Sequence, residues 1–131
     1  MKKYLLDTNI CIYHIKGQFD IDKKIAKVGI ENCFLSEINI AELKFGVENS
    51  EQKERNREKI EKFIKLFRIV PISSCLDVYA KEKARLKRQG NLIDDFDLLI
   101  GCCAVANDLI LVTRNVKHFK RLSSIKNRKL G

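Results

Sequence analysis

At 131 residues, with 45% apolar and 33% charged side chains, the chain has the size and composition of one globular domain with a real core. No apolar run approaches the roughly 20 residues that span a bilayer, and the N-terminus enters a strand pattern without a signal-peptide core; a cytoplasmic protein with no membrane partner is expected. Lys plus Arg number 26 against 17 Asp plus Glu, a formal charge of +9, and the excess gathers late in the chain.

Tyr4-Leu5-Leu6 reads as a short buried strand that stops at Asp7, with Thr8 and Asn9 as helix-start residues. An acid thus stands where a first strand ends, the usual ligand edge of an open parallel sheet. Asn9 to Lys16 is predicted as a short helix closed by Gly17, and Asp20 to Val28 as another closed by Gly29. Asn32 to Leu35 is the second candidate strand, and Ser36 is placed to cap the helix after it. On that helix Ile38, Ala41, Glu42 and Phe45 fall on one arc of about 100°, while Glu37, Lys44 and Glu48 share a charged face. Glu42 is therefore either an acid held inside an apolar stripe or one at its edge, paired with a lysine.

Glu51 to Leu66 is predicted as an outer helix with Ile60, Phe63, Ile64 and Phe67 as its seam. Arg68-Ile69-Val70 is a short strand ended by Pro71, and Ser74-x-x-Asp77 resembles a capping box opening a helix to about Gln89, stopped by Gly90. Lys81, Arg85 and Arg88 line one face of it, either a solvated face or a second contact for nucleic acid.

Leu98 to Ala106 carries no charge, so this helix is expected to be central, and Asp94, Asp95 and Asp97 crowd its start. One cap needs one acid, which leaves the others to explain. Gly101 and Ala104 share a face with Asp97 and leave room above it for a backbone or a ligand. Ile110 to Thr113 is a buried strand ending in Thr113-Arg114-Asn115, and Phe119 and Leu122 suggest a final helical turn. From Arg114 onward Arg114, Lys117, Lys120, Arg121, Lys126, Arg128 and Lys129 meet no acid, which suits either a polyanion backbone or a solvated terminus.

The five cysteines, Cys11, Cys33, Cys75, Cys102 and Cys103, are odd in number, lack C-x-x-C spacing and read as reduced core residues. His14 and His118 lie too far apart in sequence to suggest zinc. Strands alternating with helices argue for a parallel sheet, which brings Asp7, Glu42, Asp97 and the Thr113–Asn115 turn to one edge. Carboxylates gathered in one pocket share protons or hold hard cations, Mg²⁺ or Mn²⁺, and the expected chemistry is phosphodiester cleavage by a metal-activated water.

Leu5-Leu6-Asp7-Thr8-Asn9-Ile10, Ile40-Ala41-Glu42-Leu43, Asp95-Phe96-Asp97-Leu98-Leu99-Ile100 and Leu111-Val112-Thr113-Arg114-Asn115 with Phe119 resemble the ordered motifs of PIN-domain ribonucleases, nearest to VapC toxins of bacterial type II toxin–antitoxin systems. The resemblance covers essentially the whole chain and implies a single PIN domain over 1–131. Its fold would be a flavodoxin-like three-layer α/β/α arrangement around a central parallel sheet of four to five strands. It also implies a Mg²⁺-dependent endoribonuclease, a homodimer, and a VapB-type antitoxin that inserts into the acidic site. By the same resemblance Asp7 and Asp97 are the metal ligands and Glu42 the inward acid, these three being the catalytic set. Thr113 is the hydroxyl beside the site, and Asn115 stands where another acid is common, with Asp94 or Asp95 able to compensate through water. Arg114, Lys117, Lys120 and Arg121 are the expected RNA contacts. The opening Asp7-Thr8-Asn9-Ile10-Cys11-Ile12-Tyr13 most resembles the branch that cuts the anticodon stem-loop of initiator tRNA. Two other readings stand beside this one: a PIN-like module that binds RNA or protein without turnover, and a phosphatase with Asp7 as nucleophile, for which Asn9 occupies the place of a required second Asp.

Overall fold

A computed structural model of the chain describes residues 2–123 and 125–129; Met1, Ser124, Leu130 and Gly131, which the single-domain reading includes, lie outside the described residues. Five parallel strands form one sheet: β1 (Tyr4–Leu6), β2 (Cys33–Ser36), β3 (Arg68–Val70), β4 (Ile110–Thr113) and β5 (Asn127–Lys129). Their order is β3-β2-β1-β4-β5, so the winding reverses between β1 and β4. In such sheets the crevice outside the carboxyl ends of the strands flanking the reversal is where ligands bind.

Seven α-helices among the described residues cover the two faces: α1 (Thr8–Ile15), α2 (Ile21–Val28), α3 (Glu37–Glu48), α4 (Lys53–Ile64), α5 (Leu76–Arg88), α6 (Asp95–Ala106) and α7 (Val116–Phe119). Strand residues alternate between two cores, as the pleat dictates. Leu5 and Leu111 pack with Leu86 of α5, Leu98 and Ile100 of α6, and Phe119. Tyr4, Leu6 and Val112 pack with Ile10 of α1, Ile25 of α2, Leu43 of α3 and Phe63 of α4. A sheet buried on both faces explains why its strands read as unbroken apolar runs, and the result is the three-layer α/β/α arrangement expected. The five cysteines are buried and unpaired.

The structure corrects several local readings. On α3 the inward residues are Ile38, Asn39, Leu43 and Val47, whereas Ala41 is exposed and Phe45 is 68% exposed. The arc was misplaced because a polar residue, Asn39, holds one of the buried positions. The capping box at Ser74 does not form: a 3₁₀ turn over Ile72–Cys75 precedes α5, Cys75 is its N-cap, and the Ser74 hydroxyl donates instead to the Pro71 carbonyl. The space above Gly101 holds no ligand, since a Cβ there would meet Leu122 Cδ1 at 2.2 Å and Phe119 Cδ1 at 3.3 Å. Glycine lets the segment after α7 close onto the buried helix.

The basic terminus is part of the sheet, because β5 pairs in register with β4. On α5 Arg85 is likewise committed to the fold: its guanidinium binds the buried Glu82 at 2.8 Å and donates to the Arg121 carbonyl at 2.6 Å. Glu82 also accepts from the Ser123 N–H at 2.6 Å, and the hydrogen bonds from Arg85 first and Ser123 next hold its carboxyl below the usual range. This latch removes Arg85 from the list of nucleic-acid contacts.

Candidate active site

The site forms where β1 and β4 end. Asp7 continues the ladder through its N–H to the Val112 carbonyl at 2.9 Å, then turns the chain into α1 as its N-cap. Its carboxylate accepts the Thr8 N–H at 2.8 Å on one oxygen and the Thr113 hydroxyl at 2.8 Å on the other. The two strand ends are therefore pinned together across the reversal by the side chain of an acid that is only 5% exposed. Thr113 is oriented in turn by the Asn115 N–H, which donates to its hydroxyl at 2.9 Å.

A second chain of bonds reaches the site from β2. Ser36 caps α3 reciprocally with Asn39: the Asn39 side-chain oxygen accepts from the Ser36 N–H at 2.7 Å and from its hydroxyl at 2.9 Å, while the Asn39 N–H donates to the Ser36 hydroxyl. The Asn39 amide then donates to the Thr8 hydroxyl at 2.9 Å, and that hydroxyl donates to a Glu42 oxygen at 2.6 Å. Thr8 thus stands between two acids, giving its N–H to Asp7 and its O–H to Glu42. Ser36, Asn39 and Thr8 were not singled out as site residues from sequence. The signal available was a polar residue at the third position after a serine cap, the place where a capping box closes.

Asp97 lies in the first turn of α6, with its side chain 31% exposed. The Nε2 of His118, on α7, stands 3.6 Å from its carboxylate and is buried without a hydrogen-bond partner. Asp94 is the N-cap of α6 and accepts the Phe96 N–H. Asp95 is not brought to the group: the Lys83 ammonium at 2.9 Å and the Tyr79 hydroxyl at 3.0 Å engage it on the α5 side, and the lysine keeps its carboxyl below the usual range. Asp95 is thus held on the α5 side, whereas Asp94 is the acid beside Glu42 and Asp97. Asn115 is exposed and contributes its backbone N–H. Lys117 and Lys120 are exposed, while Arg114 and Arg121 are engaged, the first over two aromatic rings and the second on the Leu92 carbonyl.

The acids act on one another. Burial raises the Asp7 carboxyl above its usual range against the opposing bonds from Thr113 and Thr8. Burial raises Glu42 too, with further pushes from Asp7 and Asp94 after the opposing Thr8 bond. Asp97 is pushed up to about 6, by burial first and by the negative charge of Asp7 next. Among the described residues no group of three or more His, Cys, Asp or Glu side chains is set to hold a metal ion between them. The donor set fits a smaller demand: Mg²⁺ is usually held by one or two carboxylates and keeps waters and phosphate oxygens for its other positions. Asp7 and Asp97 are near enough for the charge of Asp7 to raise the Asp97 carboxyl, and Glu42 adds to the same push.

A raised acid pKa has a definite consequence for stability. Asp97 binds its proton more tightly folded than unfolded, so the stabilisation is full below about pH 4 and is lost as pH rises through about 6. In EDTA, Asp97→Asn should raise the melting temperature at pH 7.5 by about 3–6 °C, allowing for solvent screening, with a smaller gain at pH 5. Paired thermal melts at the two pH values check this. A loss of stability at pH 7.5 would mean that the carboxylate acts mainly on the helix N-terminus.

Residues 4–124 match the family described as PIN domain. Ribonuclease VapC2 of Rickettsia felis is 36% identical over 125 residues, covering 93% of each chain. The tRNA(fMet)-specific endonuclease VapC of Shigella flexneri is 31% identical over 127 residues, 96% of each. Among solved structures, VapBC2 from Rickettsia felis bound to a DNA fragment from its promoter superposes with a TM-score of 0.90 at 33% identity over 98% of each chain.

Proposed function

We propose that this chain, which belongs to the VapC group of the PIN-domain family, is a metal-dependent endoribonuclease and the toxin of a type II toxin–antitoxin pair. The observation that carries the reading is the set of desolvated carboxylates at the reversal of the sheet, Asp7, Glu42 and Asp97, each raised above its ordinary pKa although His118 Nε2 stands 3.6 Å from Asp97. Such a set is costly to ionise and is relieved by a divalent ion. When bound, the ion supplies Lewis-acid charge at the phosphodiester and a more acidic water.

The side chains divide the work around it. Asp7 and Asp97 would hold the ion, and Thr113 and the Thr8 N–H fix Asp7 so that its carboxylate cannot swing away. Glu42, held by the Thr8 hydroxyl, is the group available to take a proton from the attacking water. Asn115 adds no charge, which favours one tightly held ion, Mg²⁺ in the cell with Mn²⁺ able to replace it. Lys117 and Lys120 supply a sequence-independent grip on the RNA backbone, with Arg114 and Arg121 flanking it.

The names of the relatives support tRNA(fMet) as substrate and a VapB-type partner; the cut in the anticodon stem-loop and inhibition by that partner belong to the same reading. A single PIN domain, a homodimer and a cytoplasmic location complete the reading. No helix among the described residues is long and apolar enough to cross a membrane. The test is cleavage of purified initiator tRNA beside an elongator tRNA, with Mg²⁺, Mn²⁺ or EDTA. A single cut in the initiator, absent in EDTA, is expected; cleavage that persists in EDTA removes the metal mechanism.

A further inference from the structure

Three side chains, one of them directly after Thr113 in the chain, stack on one another. The Arg114 guanidinium carbon lies 4.0 Å from the centre of the Phe19 ring and 5.4 Å from that of Tyr13, and the two rings meet edge to face at 4.8 Å and 75°. Phe19 is nevertheless 43% exposed. The Arg114 cation covers one face of the ring and Tyr13 packs against it edge to face, yet nearly half of the residue stays accessible. The backbone there is unusual too: Phe19 and the next residue, Asp20, both have positive φ, 59° and 54°. Two consecutive non-glycine residues in the left-handed region are unfavourable, and here they hold an aromatic ring at the surface.

The position of the stack relates it to the carboxylates. Arg114 follows Thr113, whose hydroxyl binds Asp7, and Tyr13 stands six residues beyond Asp7, ~9 Å along α1. We infer that Phe19, backed by Arg114 and Tyr13, is a stacking platform for one unpaired base of the RNA, beside the phosphate to be cut. This rests on the nuclease reading above and narrows it. Bases within a duplex offer no free face, whereas unpaired bases stack on aromatic rings and guanidinium planes with little preference for sequence. Phe19 is thus the residue that would engage an unpaired base, through a free face that the paired bases of a duplex would not offer it.

The test uses the full chain and a fluorescein-labelled single-stranded RNA of mixed sequence, with a duplex of equal length as control, binding being followed by anisotropy in EDTA. Phe19→Leu keeps an apolar side chain against Arg114 and Tyr13 but removes the π face, and Phe19→Trp enlarges that face. Phe19→Leu should weaken single-strand binding about 5- to 100-fold, Phe19→Trp should bind at least as tightly as wild type, and duplex binding should not change. Under Mg²⁺ the same loss should appear in KM with kcat preserved. The platform is overturned if both variants bind single strands as wild type does, or if Phe19→Leu weakens single strand and duplex equally. A wild-type protein that stacks single strands through Phe19 yet cuts no RNA keeps the platform and loses the nuclease reading. One that binds no RNA loses both.

Discussion

Asp7→Asn removes RNA cleavage, by at least about 10³-fold, while the domain stays folded. Asparagine has nearly the same shape, and its oxygen can still accept the Thr8 N–H that Asp7 accepts at 2.8 Å. Its amide nitrogen, however, faces the Thr113 hydroxyl, which now donates to Asp7 and accepts from Asn115. That bond has to reverse, leaving the hydroxyl proton without its acceptor, a cost of about 1–2 kcal/mol. Against this, a carboxyl that burial raises above its ordinary range is no longer forced to ionise at neutral pH. The two effects oppose each other, so the melting temperature should move by only a few degrees. Activity has no such compensation, because the charge that Asp7 offers a divalent ion is gone. Initial rates on RNA at saturating Mg²⁺, beside thermal melts in EDTA, separate the two quantities. A loss of less than about tenfold in a folded variant would remove Asp7 from the metal site.

Much of this was legible in the sequence for physical reasons that can be named. Strands buried on both faces must be apolar throughout, so Tyr4-Leu5-Leu6 and Ile110-Leu111-Val112 stand out, and the acid or hydroxyl that ends each marks the ligand edge. The uncharged stretch of α6 could only be central. What stayed hidden depended on partners far away in sequence. Nothing local distinguishes Asp94, which caps α6 near the site, from Asp95, which turns to Lys83 and Tyr79 on α5. Arg85 and Glu82 look like ordinary members of a charged helix until the Ser123 N–H and the Arg121 carbonyl close on them. β5 was hidden for a related reason: Asn127-Arg128-Lys129 has no apolar pattern, and its place as an edge strand comes from pairing with β4. Asn39 shows the same limit most sharply, since counting apolar residues assigns Phe45 to the inner face and passes over the amide that occupies it.

That amide leads to a prediction about the fold that the carboxylates do not make. Asn39 is fully buried, and its side chain serves Ser36 twice and Thr8 once. Asn39→Ala leaves the Ser36 N–H without its acceptor at the start of α3, the Ser36 hydroxyl without an oxygen to donate to, and the Thr8 hydroxyl without its donor. With about 1–3 kcal/mol for each buried group left unmet, partly offset by relaxation, the loss should be about 3–5 kcal/mol, or about 10–20 °C in melting temperature. Below the new midpoint cleavage should still fall about tenfold, because Thr8 loses the bond that points its hydroxyl at Glu42. Asn39→Asp separates the two roles. When ionised its carboxylate can still accept from Ser36, so the cap returns, but it cannot donate to Thr8, and a charge at this fully buried position beside Glu42 offsets part of the regained stability. Activity should therefore stay low in Asn39→Asp although the cap is restored and part of the stability returns. Thermal melts and cleavage rates on the two variants decide the matter: recovery of both stability and activity in Asn39→Asp would show that the amide matters only as a cap, and that Thr8 needs no help to hold the acid.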